Sequence, residues 1–290
     1  MRICGLRLKM RIKQCCCDEA MMQPTIQSNS AGKFALHFLG TGSGSSITLG
    51  SAAAVLESNG NPLLMIDCGP TAPAQFQASY AGSLPDAIYI THAHFDHIGG
   101  LETLFYQLAF STLAPKLFVP VNLIATLHAR LAEFPGLAEG GLNFWDVFQL
   151  IPVSAQFFFR GLHFSSFAVR HHAPLSAYGL ALAGSFVYSG DTRPIPELFA
   201  HFGAGYEALF HDCSLRSSPS HTGADDLLRE YPSALRSRMW VYHQHDAAEA
   251  AAIAELGFQV LSAGSRVLLP GELNLELKNS ELKNSKLDAV

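Results

Sequence analysis

Short apolar runs of strand length alternate along the chain with segments of helical spacing, and Gly, Pro and small polar residues punctuate them. Phe34–Leu39 predicts a first strand, ending in the glycine-rich turn Gly40-Thr41-Gly42-Ser43-Gly44. Ala52–Leu56 and Leu63–Ile66 predict the next two, the second closing on Asp67-Cys68-Gly69. Ala87–Ile90 predicts a short strand running straight into Thr91-His92. Leu101, Leu104, Phe105 and Leu108 share one face of a helix over Leu101–Ala109, and Val121–Phe134 predicts a second helix. Gln156–Val169, Tyr178–Leu182, Phe186–Tyr188, Ala208–His211 and Met239–Tyr242 read as strands. Ile195–Phe202 and Asp225–Leu235 read as helices.

These elements form two strand-rich halves, each followed by helices. The expected class is α+β: two mixed β-sheets packed face to face with helices outside, in layers α, β, β, α. Residues 33–271 show no linker and are expected to form one domain. The segment 1–32 is basic (Arg2, Arg7, Lys9, Arg11, Lys13) but lacks the apolar stretch of a signal peptide, and is expected to be a disordered leader. Met21 and Met22 offer alternative translation starts. From Glu272 the chain changes character: ELKNS occurs at Glu276–Ser280 and again at Glu281–Ser285, and a flexible tail over 272–290 is expected.

Composition narrows the function. With 49% hydrophobic and only 15% charged residues, the chain can bury a full core. A net charge of −5 argues against attachment to nucleic acid by bulk electrostatics. Arg160, Arg170 and Arg193 leave a local basic rim open, although each also reads as a solvated surface residue. The six cysteines give no disulfide framework: Cys15, Cys16 and Cys17 are adjacent, while Cys68 and Cys213 each follow an Asp. A reducing cytoplasm is expected. No apolar run reaches the roughly 18–20 residues of a membrane span.

The chemistry concentrates in Thr91-His92-Ala93-His94-Phe95-Asp96-His97-Ile98-Gly99-Gly100. Residues two apart in an extended segment point the same way, so His92 and His94 can reach one cation together. A turn into the following helix carries Asp96 and His97 to a second position close by. Imidazole and carboxylate suit zinc, with Mn²⁺ and Fe²⁺ as competitors. A histidine-rich surface loop would show neither this spacing nor its place between strand and helix.

This stretch resembles the metal motif of the metallo-β-lactamase superfamily, in its dinuclear hydrolase branch, over roughly Phe34 to Asp246. The resemblance implies an αββα sandwich with ligands from loops at one edge of both sheets. It implies a further ligand in Arg170-His171-His172-Ala173-Pro174, where the x-His-x-Pro arrangement favours His172 and leaves His171 as its rival. It implies a carboxylate, Asp191 of Ser189-Gly190-Asp191-Thr192, shared by two cations that would lie roughly 3.5–4 Å apart. It implies a last ligand in Trp240-Val241-Tyr242-His243-Gln244-His245, namely His243, with His245 as the fallback. Asp67 is expected to support the ligand loop without binding metal. The expected site is one ion on His92, His94 and His172, the other on Asp96, His97 and His243, and Asp191 between them. A water or hydroxide held there is the expected nucleophile, and Asp96 counts among the catalytic residues as well as the ligands.

His221-Thr222 resembles the His-Ser/Thr element of ribonuclease Z and its nearest relatives, which contacts phosphate or assists the leaving group. An imidazolium beside a helix N-terminus would suit both roles, against the plainer reading of Ser220 or Thr222 as a helix N-cap. With the SGDTRP segment and the early glycine-rich turn, this favours a phosphodiester. The segment between His172 and Asp191 is too short for the tRNA-gripping arm of bacterial ribonuclease Z. The expected substrate is therefore a small or cyclic phosphodiester, with RNA, as in tRNA 3′-end cleavage, second. A lactone or thioester pocket is the rival: Phe157, Phe158 and Phe159 could line one, though burial in a strand explains them too. A non-catalytic metal-binding scaffold is disfavoured because no ligand position is replaced. Dimerisation is an expectation from the resemblance alone.

Overall fold

The computed structural model describes residues 33–109, 111–132 and 142–270. The leader expected over 1–32 and the tail expected over 272–290 lie outside the described residues. Strands are numbered in chain order. The first half supplies β1 (Phe34–Gly40), β2 (Ala53–Ser58), β3 (Asn61–Ile66), β4 (Ala87–Tyr89), β5 (Lys116–Pro120) and β6 (Gln149–Val153). The second supplies β7 (Gln156–Phe159), β8 (Leu162–Ala168), β9 (Tyr178–Leu182), β10 (Phe186–Tyr188), β11 (Ala208–Asp212), β12 (Met239–Tyr242) and β13 (Gln259–Val260). A last strand, β14 (Arg266–Leu268), returns to pair with β1.

They form two seven-stranded sheets, ordered β14-β1-β2-β3-β4-β5-β6 and β13-β12-β11-β10-β9-β8-β7. Both are mixed. In the first, β3 to β6 run parallel, and in the second β10 to β13 do.

Alternation along the strands builds the layers. Leu64 and Ile66 of β3, with Phe186 and Tyr188 of β10, face the core between the sheets, where Phe38, Phe164 and Tyr242 also pack. Met65 points the other way, against Phe76, Leu101 and Phe105 of the helices Ala72–Ser79 and Gly100–Leu108. Val187 does the same in the second sheet, against Phe199 and Leu227 of the helices Pro196–Phe202 and Ala224–Glu230. The result is the expected α, β, β, α sandwich.

Two predicted helices are broken. Val121 to Ala132 is a 3₁₀ turn (Val121–Leu123), an α-turn (Ile124–Leu127) and a π-turn (His128–Ala132); Phe134 lies outside the described residues. The buried Leu123, Leu127 and Leu131 recur every four residues, more than an α-helical turn, and the wide turn keeps Leu131 over the buried face. The helix expected over Asp225–Leu235 divides into Ala224–Glu230 and Ser233–Arg236 at Pro232, which lacks an N–H and whose ring would clash with the preceding turn. Among the described residues no helix is long and apolar enough to cross a membrane.

Candidate metal centre

The C-terminal ends of β3, β4, β8, β10, β11 and β12 open on one edge of the sandwich, and each leads into a side chain that matters: Asp67, His92, His171, Asp191, Asp212 and His243. Such edges, just beyond the carboxyl ends of neighbouring strands, are where mixed and parallel sheets leave a crevice.

His92 and His94 follow β4, and a short turn of helix, Phe95–Ile98, carries Asp96 and His97. Asp67, wholly buried, fixes this loop. Its carboxylate accepts hydrogen bonds from Thr91 N (2.7 Å), Thr91 Oγ1 (2.7 Å) and His97 Nδ1 (2.8 Å). Asp67 has φ +60° and His243 has φ +77°, left-handed conformations uncommon for non-glycine residues, though Asp and His adopt them more readily than most. Thr41 of the early glycine-rich turn holds the second: its carbonyl accepts from the amides of His243 (2.7 Å) and Gln244 (3.2 Å). At Gly69 the backbone runs so close to the Asp96 carbonyl that a Cβ has no room.

Hydrogen bonding settles which imidazole nitrogens carry protons. The acceptor-only carboxylate of Asp67 fixes a proton on His97 Nδ1, so Nε2 is the nitrogen that can hold a cation. The carbonyl of Ser220, 2.9 Å from His171 Nδ1, does the same for His171. Thr91 Oγ1 gives its hydrogen to Asp67 and so accepts from His92 Nδ1 (3.1 Å), again leaving Nε2 bare.

These lone pairs converge. His92 Nε2 and His171 Nε2 lie 3.0 and 3.2 Å from His94 Nδ1. His97 Nε2 lies 3.3 Å from both Asp96 Oδ2 and Asp191 Oδ2, and His243 Nε2 lies 3.6 and 3.2 Å from the same two oxygens. Two donors bound tetrahedrally at zinc distances would stand roughly 3.4 Å apart, so both clusters have the spacing of a ligand shell. His97 Nε2, His243 Nε2 and Asp191 Oδ1 are buried and have no hydrogen-bond partner, a costly arrangement that a cation resolves. The residues present therefore fit divalent metal ions, in groups His92, His94, His171, Asp191 and Asp96, His97, Asp191, His243.

Electrostatics agrees for the first group, while at His97 burial is outweighed by the charges of Asp191 and Asp67, which raise the pKa well above the ordinary imidazole value, so a cation there displaces the Nε2 proton. Burial lowers the pKa of His92 and His94 and holds His171 at about 4, so all three are neutral ligands at physiological pH. Burial alone would raise Asp96, but the adjacent imidazoles of His243 and His97 hold it well below the usual carboxylate range.

Of the adjacent histidines, His171 enters the cluster, and the expected His172 does not. His171 is buried and His172 exposed. The cause is strand parity: beyond β8, the buried Phe167, Val169 and His171 alternate with the exposed Ala168, Arg170 and His172. His172 instead packs its ring on His94 and lines the adjoining cavity. His245 is exposed and hydrogen-bonds Ser45 Oγ (2.9 Å) at the rim.

His221 stands beside the second group, its ring stacked on His243 (centroids 5.0 Å apart). Thr222 is not a helix cap. Its hydroxyl donates to the Thr192 carbonyl (2.8 Å) and ties this loop to that of Asp191. Sequence reasoning missed Asp212. Wholly buried, it accepts from His221 Nδ1 (2.8 Å) and Thr192 N (3.1 Å), as Asp67 accepts from His97 and Thr91. The available signal was Asp-Cys at the end of an apolar strand, present at Asp67-Cys68 and again at Asp212-Cys213. The phenylalanines named for an apolar pocket line no part of the site: Phe157 lies in the core between the sheets, Phe159 packs against it, and Phe158 faces outward. Arg160 pairs with Asp86 and Arg170 with Glu197, and Arg193 donates to the Arg170 carbonyl.

The family model for the anti-Pycsar protein Apyc1 matches residues 34–266. The anti-Pycsar protein Apyc1 of Paenibacillus harenae is 32% identical over 219 residues, covering 73% of this chain and 90% of its own. The chain belongs to the anti-Pycsar Apyc1 family. Solved structures place this family's fold. A diphosphatase of the PhnP family superposes with a TM-score of 0.65 at 18% identity, over 84% of this chain and all of its own. The metallo-β-lactamase fold protein YhfI of Bacillus subtilis superposes at 0.62 and 14% identity, over 81% and 99%. The sandwich is thus the metallo-β-lactamase fold anticipated from the motif, and this Apyc1 family member is a metal-dependent phosphodiesterase.

Asp67→Asn gives a direct check on the ligand loop. Asparagine tolerates the same backbone conformation but cannot accept all three hydrogen bonds. Metal affinity should fall about 10- to 100-fold, as chelator competition would show. Unchanged affinity would mean that His97 needs no such support.

Proposed function

We propose that the chain holds two zinc ions, one on His92, His94 and His171, the other on Asp96, His97 and His243, with Asp191 between them, and that it opens cyclic nucleotides. The single observation behind this reading is the convergence of imidazole nitrogens on His94 and on Asp191 at ligand spacing. Membership of the Apyc1 family supports a cyclic nucleotide as substrate. Zinc suits the imidazole-rich donors and their tetrahedral spacing, whereas manganese favours sets richer in oxygen. When bound, the ions supply a water of lowered pKa and positive charge against the phosphoryl oxygens.

The remaining work falls to the chain. Asp191 and Asp96 set the negative charge between the histidines, and Asp67 keeps His97 in its ligand tautomer. His221 gives Nδ1–H to Asp212, which leaves Nε2 toward the cavity of Asp191 and His243. As water adds to phosphorus and one P–O ester bond breaks, the departing ribose oxygen takes its proton from that nitrogen. The product is a nucleoside monophosphate.

The test is reconstitution of the chelator-stripped protein with zinc or manganese, followed by metal analysis and assay. Two ions per chain and hydrolysis of adenosine and guanosine 3′,5′-cyclic monophosphates are expected. Fewer than one ion per chain would end the dinuclear reading, and turnover of lactone or thioester alone would end the phosphodiesterase reading.

A further inference from the structure

Two cavities of nearly equal size meet at His94, and their linings differ in kind. One, of about 410 Å³, lies over Asp96, Asp191 and His243 and is walled by Ser43, Ser45, Ser214, Ser218, His221 and His245. No apolar side chain lines it. The other, of about 420 Å³, lies over His92, His94 and His171. Its wall combines Leu123, Pro174 and Leu175 with the polar ends of Asn122, Thr126 and Arg130, the last three rising from the broken helix Val121–Ala132.

A cyclic nucleotide has two parts with the same contrast. Its ribose-phosphate ring is polar throughout, whereas its base has apolar faces and a hydrogen-bonding edge. We infer that the hydroxyl-lined cavity receives the ribose side and that the Arg130 cavity receives the nucleobase, its edge read by Arg130 and Asn122. This assignment rests on the cyclic-nucleotide reading above.

The donors and acceptors make it specific. Asn122 Nδ2 donates to Tyr178 Oη (2.7 Å), so the amide carbonyl is left for a base amino group. Among the described residues Arg130 makes no ion pair, and its planar fork matches a carbonyl oxygen beside a ring nitrogen, the pattern of guanine O6 and N7. Pro174 and Leu175, exposed in its wall, offer an apolar surface for the face of the ring. Bases bearing a carbonyl oxygen should therefore be favoured over adenine.

Three substrates with one phosphodiester ring test this: guanosine and adenosine 3′,5′-cyclic monophosphates and the abasic 3′,5′-cyclic ribose phosphate. In Arg130→Ala the ratio of kcat/KM for the guanosine compound to that for the abasic compound should fall about tenfold, mainly through KM. The ratio for the adenosine compound should fall less. Thr126→Trp, which fills the cavity, should lower both nucleotides relative to the abasic compound. Equal losses on all three substrates in Arg130→Ala, or wild-type ratios in Thr126→Trp, would overturn the assignment while leaving the phosphodiesterase reading intact. A metal-loaded wild type inert on all three would overturn both.

Discussion

Asp191→Asn is expected to leave a folded protein that has lost phosphodiesterase turnover by on the order of 10³-fold or more. Asp191 Oδ2 lies 3.6 Å from His92 Nε2, 3.3 Å from His97 Nε2 and 3.2 Å from His243 Nε2, so one carboxylate oxygen serves both groups of ligands. Burial opposes its charge, but His243, His97 and His92 outweigh burial and hold its pKa well below the usual range. An amide of the same shape removes that charge and aims either an N–H or one neutral oxygen at nitrogens that need a cation between them. Without a shared anion two divalent ions repel at short range, so the second should be lost first. Metal analysis should show the content falling from two ions to one or fewer, with kcat falling in step. Two ions retained with kcat within tenfold of wild type would show that Asp191 does not join the two groups.

What the sequence disclosed, and what it hid, follows from the reach of each signal. His92, His94, Asp96 and His97 were legible because their spacing alone brings them together at the end of β4. Asp191 and His243 were legible by resemblance, each at the end of an apolar strand. The inward histidine was also encoded, since Phe167 and Val169 set the parity that carries His171 inside. Preference for the spacing to Pro174 obscured it. Asp212 was missed although Asp-Cys ends an apolar strand there as it does at Asp67, because its partners Thr192 and His221 come from separate loops that only the folded sheet brings together. Among the elements, Lys116–Pro120 was disguised by a lysine at one end and a proline at the other. Gln149–Val153 contains Pro152, tolerated because β6 forms the edge of its sheet. Ala72–Ser79 and Ala247–Glu255 bury too few side chains to leave an apolar stripe: the second buries Ile253 alone.

His221→Ala separates proton donation from metal binding. Burial works against a proton on this imidazole, but the hydrogen bond and charge of Asp212, with Asp191 beyond, outweigh it and raise the pKa to about 9. The raised value means that the ring is protonated below that pH and loses its proton as pH rises through it, so the acid form is present at neutrality. Alanine should cost about 10²-fold or more in kcat on a cyclic nucleotide, whose ribose alkoxide is a poor leaving group. On bis(p-nitrophenyl) phosphate the loss should be much smaller, because p-nitrophenolate departs without a proton. Metal content should stay at two ions, since His221 spends Nδ1 on Asp212 and belongs to neither proposed ligand shell. Asp212→Asn should move the high-pH fall in kcat to lower pH, because it removes the charge that favours the proton. Equal losses on both substrates would identify His221 as a phosphate-binding residue instead, and wild-type kinetics would remove it from the site.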